Sequence, residues 1–290
     1  MKDFRDRVLF ITGGASGIGF GITQVLVEAG MRAMIADIRQ DHIDEALAHF
    51  KARGLAERVD AVRLDVTDRE AMARAADATE QRFGKVHVLF NNAGIDPSGP
   101  LKQATYADWD YAMGVNLGGV INGVQTFLPR ILSHGEGGHI FSTASLAGLI
   151  VMPAQMVMYY MAKAAVIAFM ESIRGELAAD RIGVSVLCPG PIKSRIHESG
   201  RNRPERFRTG SGFQDAEALL ARRQVSELWM EPTEVGRMCL KAIREDELYV
   251  ITHGEWREAF QARVKAILAA MPSQVNAALI ASLREPQREP

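Results

Sequence analysis

Seven short apolar runs, RVLFIT, RAMIAD, VDAVRLD, VHVLFNN, GHIFSTA, GVSVLCP and LYVIT, punctuate the chain between Arg7 and Thr252. Each is brief, rich in β-branched residues and bounded by Gly, Asp, Asn or Pro, which marks buried strands. Between them, helical periodicity fills residues 18–29, 41–53, 69–83, 106–132, 157–179 and 233–245. Continuous apolar strands alternating with amphipathic helices predict a doubly wound α/β fold. Its seven-stranded parallel sheet is flanked by helices on both faces. In such a sheet a ligand binds beyond the carboxyl ends of the strands, so functional residues are expected just after each run.

No internal repeat or low-complexity linker interrupts this rhythm, and the reading is one domain over 1–253. Two regions depart from it. Residues 194–230 open with SRIHESGRNRPERFR, polar and Arg-rich after the sixth strand, where a substrate-binding lid would lie; a solvated loop has the same composition. Residues 254–290 are a helical extension of the same domain, with Trp256, Phe260, Val264 and Leu268 at helical spacing, and a polar end expected to fray.

Charge excludes several functions. Lys plus Arg number 34 against 35 Asp plus Glu, a formal net charge of −1, which leaves no footprint for nucleic acid and no polybasic membrane patch. Cys188 and Cys239 form neither a CxxC pair nor a disulfide framework, and the seven His lack ligand spacing, so no metal is expected. The apolar run near the N-terminus is too short for a signal peptide or membrane span, making the cytoplasm the default location.

The first strand ends in ITGGASGIGFG. Gly13, Gly17 and Gly19, with Ser16 and Ile18 among them, follow a strand and open a helix. That context lets a backbone turn tightly and set a pyrophosphate against a helix N-terminus. Asp37, with Ile38 beside it, ends the next strand twenty positions after Gly17. A carboxylate there accepts hydrogen bonds from an adenosine ribose and repels a 2′-phosphate, pointing to NAD rather than NADP. Arg39, two residues on, is placed to contact a phosphate and argues the other way, and Asp37 also reads as a plain helix cap. Asp65 and Val66 end the third strand; Asn91, Asn92, Ala93 and Gly94 end the fourth, where small residues allow close approach and amides tie strand ends together.

Tyr159 and Lys163 are four apart, which on a helix puts phenol and ammonium on one face. An ammonium that close favours the phenolate and is expected to draw the Tyr159 pKa towards neutrality, making a proton acceptor for an alcohol. Ser145, in a small-residue turn upstream, is placed to hydrogen-bond the same oxygen. An ordinary surface Tyr–Lys pair is the competing reading. Tyr160 points about 100° away and reads as packing.

In combination these residues resemble the short-chain dehydrogenase/reductase family in its one-domain, Rossmann-type form. The motifs are TGGASGIG, Asp65-Val66, NNAG, Asn116, Ser145, the YxxxK of Tyr159 and Lys163, and Pro189-Gly190, all in order over about residues 5–253. The resemblance implies that Tyr159 is the general base in alcohol oxidation, that Lys163 lowers its pKa and binds the nicotinamide ribose, and that Ser145 orients the substrate oxygen. It implies that Asn116 holds a water linking Lys163 to solvent. Cofactor contacts would come from Gly13, Ser16, Gly17, Ile18, Gly19, Asp37, Ile38, Asp65, Val66, Asn92, Ala93, Gly94, Tyr159, Lys163, Pro189, Gly190, Ile192 and Ser194. The family more often has Thr where Ser194 stands.

The spacing of 14 from Ser145 to Tyr159 is about one longer than is usual in the family, so the Met-rich IVMPAQMVM stretch is expected to reshape the substrate wall. Met152, Met156 and Met158 supply flexible apolar surface, or core. The expected substrate set is Ser145, Met152, Met158, Tyr159, Pro191 and His197, with Phe207, Phe213 and Trp229 as further wall candidates. The IDPSGP, GHIFSTASLAGL, PGPIKSRIHESGRNRPERF, WMEPTEVG and ITHGEWRE stretches are together similar to the bacterial NAD-dependent Cα-dehydrogenases of lignin-type β-aryl ethers. That likeness implies oxidation of a benzylic secondary alcohol, an aromatic small molecule, to the ketone. The alternatives are another bulky alcohol (steroid, cyclic or 3-hydroxyacyl) or a non-enzymatic NAD-binding protein. Relatives of the family pair through the helices corresponding to 106–132 and 157–179, which implies a homodimer or homotetramer.

Overall fold

Strand β1 (Val8–Thr12) is buried along its whole length, and its alternate side chains divide between two cores. Val8 and Phe10 join one apolar cluster with Leu89, Phe127 and Ile140; Leu9 and Ile11 join another with Ile22, Phe90 and Phe141. Sequences apolar on both faces need cover on both, and helices supply it. The computed structural model describes residues 1–152, 155–222, 224–277 and 279.

The remaining strands are β2 (Arg32–Asp37), β3 (Val59–Arg63), β4 (Val88–Asn91), β5 (Gly138–Thr143), β6 (Ile182–Cys188) and β7 (Tyr249–Ile251). They form one sheet in the order β3-β2-β1-β4-β5-β6-β7, every pair parallel, as the alternation predicted. Between the strands run α1 (Gly17–Glu28), α2 (Gln40–Ala52), α3 (Arg69–Phe83), α4 (Tyr106–Met113), α5 (Gly119–His134), α6 (Leu146–Leu149) and α7 (Val157–Leu177). After β6 come α8 (Glu205–Arg208), α9 (Gln214–Leu220) and α10 (Pro232–Glu245). The chain forms two compact units, Met1–His253 and Gly254–Pro290; the second contains α11 (Arg257–Ala270), whose Phe260, Val264 and Leu268 recur at four-residue spacing.

The sequence order reverses between β1 and β4, which opens a crevice at their carboxyl ends. Its rim is tied across strands. The Thr12 hydroxyl accepts from the backbone N–H groups of Asn92 (3.0 Å) and Ala93 (3.1 Å), Asn92 Nδ2 donates to the Gly13 carbonyl (3.1 Å), and Thr143 donates to Asn92 Oδ1 (3.1 Å).

One expected element differs. The helix read as continuous over 106–132 is broken by a wide π-type turn, Gly114–Gly118, between α4 and α5. Glycines make room for it: a Cβ on Gly119 would lie 2.8 Å from Val66 Cγ2. The surplus residue of such a turn re-aims a side chain. Here Asn116 is buried, its amide accepting from Ile95 N–H (2.9 Å) and donating to the Ile95 carbonyl (3.0 Å).

Candidate active site

A groove runs along the strand ends, and fifteen of the residues expected at the cofactor line it: Gly13, Ser16, Gly17, Ile18, Asp37, Ile38, Asp65, Val66, Asn92, Ala93, Gly94, Tyr159, Lys163, Pro189 and Ser194. Gly13 and Gly17 have φ of +60° and +51°, a conformation that favours glycine, so the turn after β1 depends on them. Helix α1 opens on Ser16 with no side-chain cap and no acidic residue in its first turn, leaving its N–H groups for an anion. At the other end of that loop, burial pushes the Asp37 carboxyl up, opposed by the N–H groups of Arg39 (3.1 Å) and Ala15 (3.3 Å). A partly desolvated carboxylate with two backbone donors has acceptor capacity for a ribose diol. These features fit a dinucleotide.

Gly19, Gly190 and Ile192 do not line the groove. A Cβ on Gly19 would come within 2.0 Å of the Gly13 carbonyl oxygen, so this glycine seats α1 against the turn. Gly190 N–H donates to the Thr252 hydroxyl (3.0 Å), and Ile192 is buried and bridges to Met230.

Tyr159 and Lys163 sit one turn apart on α7, both buried, with the Lys163 ammonium 5.6 Å from the centre of the Tyr159 ring. Lys163 Nζ donates to the Thr143 carbonyl (2.8 Å), and burial lowers its pKa to about 8. The expectation that Lys163 draws the Tyr159 phenol towards neutrality is corrected. Burial pushes that phenol well above its ordinary value, the Asp96 carboxylate pushes the same way, and a hydrogen bond with Ser145 pulls against them. Spacing predicted the neighbour; it was silent on desolvation, the largest influence on this phenol. Ser145 caps α6, its hydroxyl accepting from Ala147 N–H (3.1 Å). Asn116 does not line the groove; its amide accepts from Ile95 N–H and donates to the Ile95 carbonyl, so its side chain braces the backbone at Ile95.

The expected substrate residues scatter. Tyr159 alone of them lines the groove. Met158, expected on the substrate wall, is buried with Ala112 and Phe213 in a small satellite core, and Met152 is exposed. Pro191 accepts from Met230 N–H (3.3 Å), and His197 lies in a 3-10 turn, Ile196–Asn202. Pro153 and Ala154, in the expected wall, lie outside the described residues.

Residues missed in the sequence hold the other wall. Arg195, Ile196, Glu198, Ser199, Asn202 and Pro204 line the groove from the segment after β6. That segment is anchored by Arg203, whose side chain is 1 % exposed and whose Nη1 lies 3.1 Å from Asp108 Oδ1 of α4. Arg203 Nε donates to Glu217 of α9 (3.2 Å), Nη2 pairs with the same carboxylate, and the guanidinium packs 4.4 Å over the Tyr111 ring. Despite its burial, Asp108 is held below the usual carboxylate range by donors from Ser211, Thr105 and Gly212. Tyr111 donates to the Ser199 carbonyl (3.2 Å), and Ser199 Oγ accepts from Asp96 N–H (3.0 Å). Arg206 reaches Asp65 (2.6 Å) at the adenosine end. No sequence pattern marks these partners, since Asp108 lies 95 positions before Arg203 and Glu217 stands 14 after it on a separate helix.

Among the described residues no helix is long and apolar enough to cross a membrane, and no group of three or more His, Cys, Asp or Glu side chains is placed to hold a metal ion. A profile of the short chain dehydrogenases matches residues 7–205. The C alpha-dehydrogenase of Sphingobium sp. (strain NBRC 103272 / SYK-6) is 40% identical over 269 residues, 92% of this chain and 87% of that protein. Among solved structures, a short chain dehydrogenase/reductase from Burkholderia phymatum in complex with NAD matches with TM-score 0.86 and 32% identity over 96% of this chain and 100% of that one. The LigD-apo form from Sphingobium sp. strain SYK-6 matches with TM-score 0.78 and 35% identity over 94% and 100% of the two chains. Such likeness over nearly the whole length places the chain in the short-chain dehydrogenase/reductase family, whose members are oxidoreductases acting on alcohols and using NAD(P).

Proposed function

We propose that the chain oxidises a benzylic secondary alcohol to the ketone with NAD, the alcohol being the Cα hydroxyl of an arylglycerol-β-aryl ether. The observation that carries this is the buried pair of Tyr159 and Lys163, with Ser145 hydrogen-bonded to Tyr159 behind them, in a groove that also presents the Asp37 carboxylate. The likeness to a C alpha-dehydrogenase supports the substrate.

NAD, when bound, supplies the acceptor for the hydride leaving the carbinol carbon. The chain's own part is binding, orientation and proton transfer. N–H groups of the α1 first turn meet the pyrophosphate, Asp37 accepts from the adenosine ribose, and Gly13, Ala93 and Gly94 allow close approach along the groove. Tyr159 takes the alcohol proton at its phenolic oxygen. Ser145, hydrogen-bonded to Tyr159, steadies the oxygen that loses it, and the Lys163 ammonium stands 5.6 Å from the centre of the phenol ring as a nearby positive charge. The Lys163 ammonium is positioned by its hydrogen bond to the Thr143 carbonyl (2.8 Å).

Tyr159→Phe is expected to lower turnover by roughly 100-fold or more while calorimetry finds NAD binding retained. Turnover at the wild-type rate would remove Tyr159 from the mechanism. Guaiacylglycerol-type ethers, assayed through the absorbance of reduced nicotinamide, test the substrate; oxidation of steroid or cyclic alcohols with none of the ethers would reassign it. Assembly as a homodimer or homotetramer through α4, α5 and α7 belongs to the same proposal. Exposed Ile121 and Leu132 on α5 and Val157 and Met161 on α7 support it.

A further inference from the structure

Arg39 lies two residues beyond the carboxylate expected to read the adenosine ribose, near enough to serve a 2′-phosphate. Its guanidinium is already committed. Nε donates to Asp41 Oδ1 (2.8 Å), Nη2 pairs with Asp41 Oδ2, and Nη1 donates to Asn202 Oδ1 (3.3 Å). The fork engaged by Asp41 is the geometry with which an arginine grips a phosphate. The third nitrogen is held from across the groove, since Asn202 belongs to the turn Ile196–Asn202.

The clamp is local by construction. Arg39 is the residue at which α2 begins, and Asp41 stands in the first turn, so the pair is in register whenever the helix starts. An acidic group in a first turn is also favoured by the helix dipole. The Arg39 guanidinium holds the Asp41 carboxyl well below its usual range, so the clamp stays charged across the neutral range. A 2′-phosphate arriving here would meet Asp37 and Glu198 in the groove wall and Asp41 beside them, with the nearby arginine already engaged.

We propose that Asp41, assisted by Asn202, is a second determinant of cofactor choice, acting by withholding Arg39 from a 2′-phosphate. This rests on the reading that NAD is the preferred cofactor, and it adds a residue to that reading. Asp37 repels the phosphate; Asp41 disarms the arginine two residues beyond it, whose charge would offset the repulsion.

The experiment is calorimetric titration with NAD and with NADP, independent of turnover. Five proteins are compared: wild type, Asp41→Asn, Asp37→Asn, the Asp37→Asn/Asp41→Asn pair, and that pair with Arg39→Ala. Asparagine keeps the shape at both sites. Adding Asp41→Asn to Asp37→Asn is expected to lower the ratio of NADP to NAD dissociation constants by about fivefold, the scale of one exposed charge-assisted contact. Arg39→Ala is expected to abolish that gain. A ratio unmoved by Asp41→Asn in the Asp37→Asn background overturns the proposal, as does a gain that survives Arg39→Ala. Wild type binding NADP as tightly as NAD would instead contradict the preference for NAD, whatever the Asp41 variants do, so the two failures are separable.

Discussion

Where the groove meets the sheet, its wall is made of strand ends joined by backbone and hydroxyl groups, whereas the facing wall, residues 195–204, hangs on a buried guanidinium. The first wall inherits its position from the parallel register, in which Thr12 stands level with Ala36 and Ile11 with Phe90. Hydrogen bonds there only trim a geometry that the packed sheet already sets. The second wall has no sheet beneath it and little apolar surface of its own. Charge does what hydrophobic burial does elsewhere, and charge buried this deeply is intolerant of a missing partner.

That contrast can be broken from either side. Arg203→Met is expected to have the largest effect, about 3–5 kcal/mol, because Asp108 and Glu217 would remain buried without their cation. Hydrogen exchange should place the loss in residues 196–220 and leave the sheet protected; uniform loss would refute the division between the walls. Next comes a pH effect at Lys163. Its pKa is lowered to about 8 by burial, so below that value both folded and unfolded chains carry the charge and the cost of burying it is fully present. Between pH 8 and the ordinary lysine value the folded chain releases its proton first, so stability rises with pH. Wild type should therefore gain on the order of 3 kcal/mol over that range relative to Lys163→Met, read from paired urea titrations; equal slopes would contradict the burial cost. Smallest is Thr12→Val, which deprives two backbone N–H groups of their acceptor. A cost of about 1–3 kcal/mol is expected, with the sheet intact by circular dichroism and NAD affinity weakened.

The same contrast explains what the sequence disclosed. Apolar runs report where a chain must be covered, so all seven strands and the groove residues at their ends, Gly13, Asp37, Asp65 and Asn92 among them, were legible, and helical spacing disclosed Tyr159 on α7. Arg203 sits in a stretch whose composition matches that of a solvated loop, and nothing local distinguishes a guanidinium bound for the interior. Its partners lie on α4 and α9, and only tertiary structure brings them together. Met158 shows the reverse limit, since apolar character fits a substrate wall and a core equally, and packing against Ala112 and Phe213 decided for core. The Tyr159 pKa failed for a third reason: spacing gives neighbours, but the solvent removed around them is a property of the whole fold.

The wide turn at Gly114–Gly118 also sets the phase between two helices. With it in place, α4 turns Asp108 and Tyr111 towards the Arg203 anchor while α5 turns Phe127 and Ile131 into the sheet. Straightening it into regular α-helix without removing its surplus residue would rotate everything downstream by about 100° relative to α4. A chain more regular in local conformation would then present the wrong face of α5 to its core. The irregularity keeps two neighbouring surfaces in register, one serving the groove cover and the other the sheet.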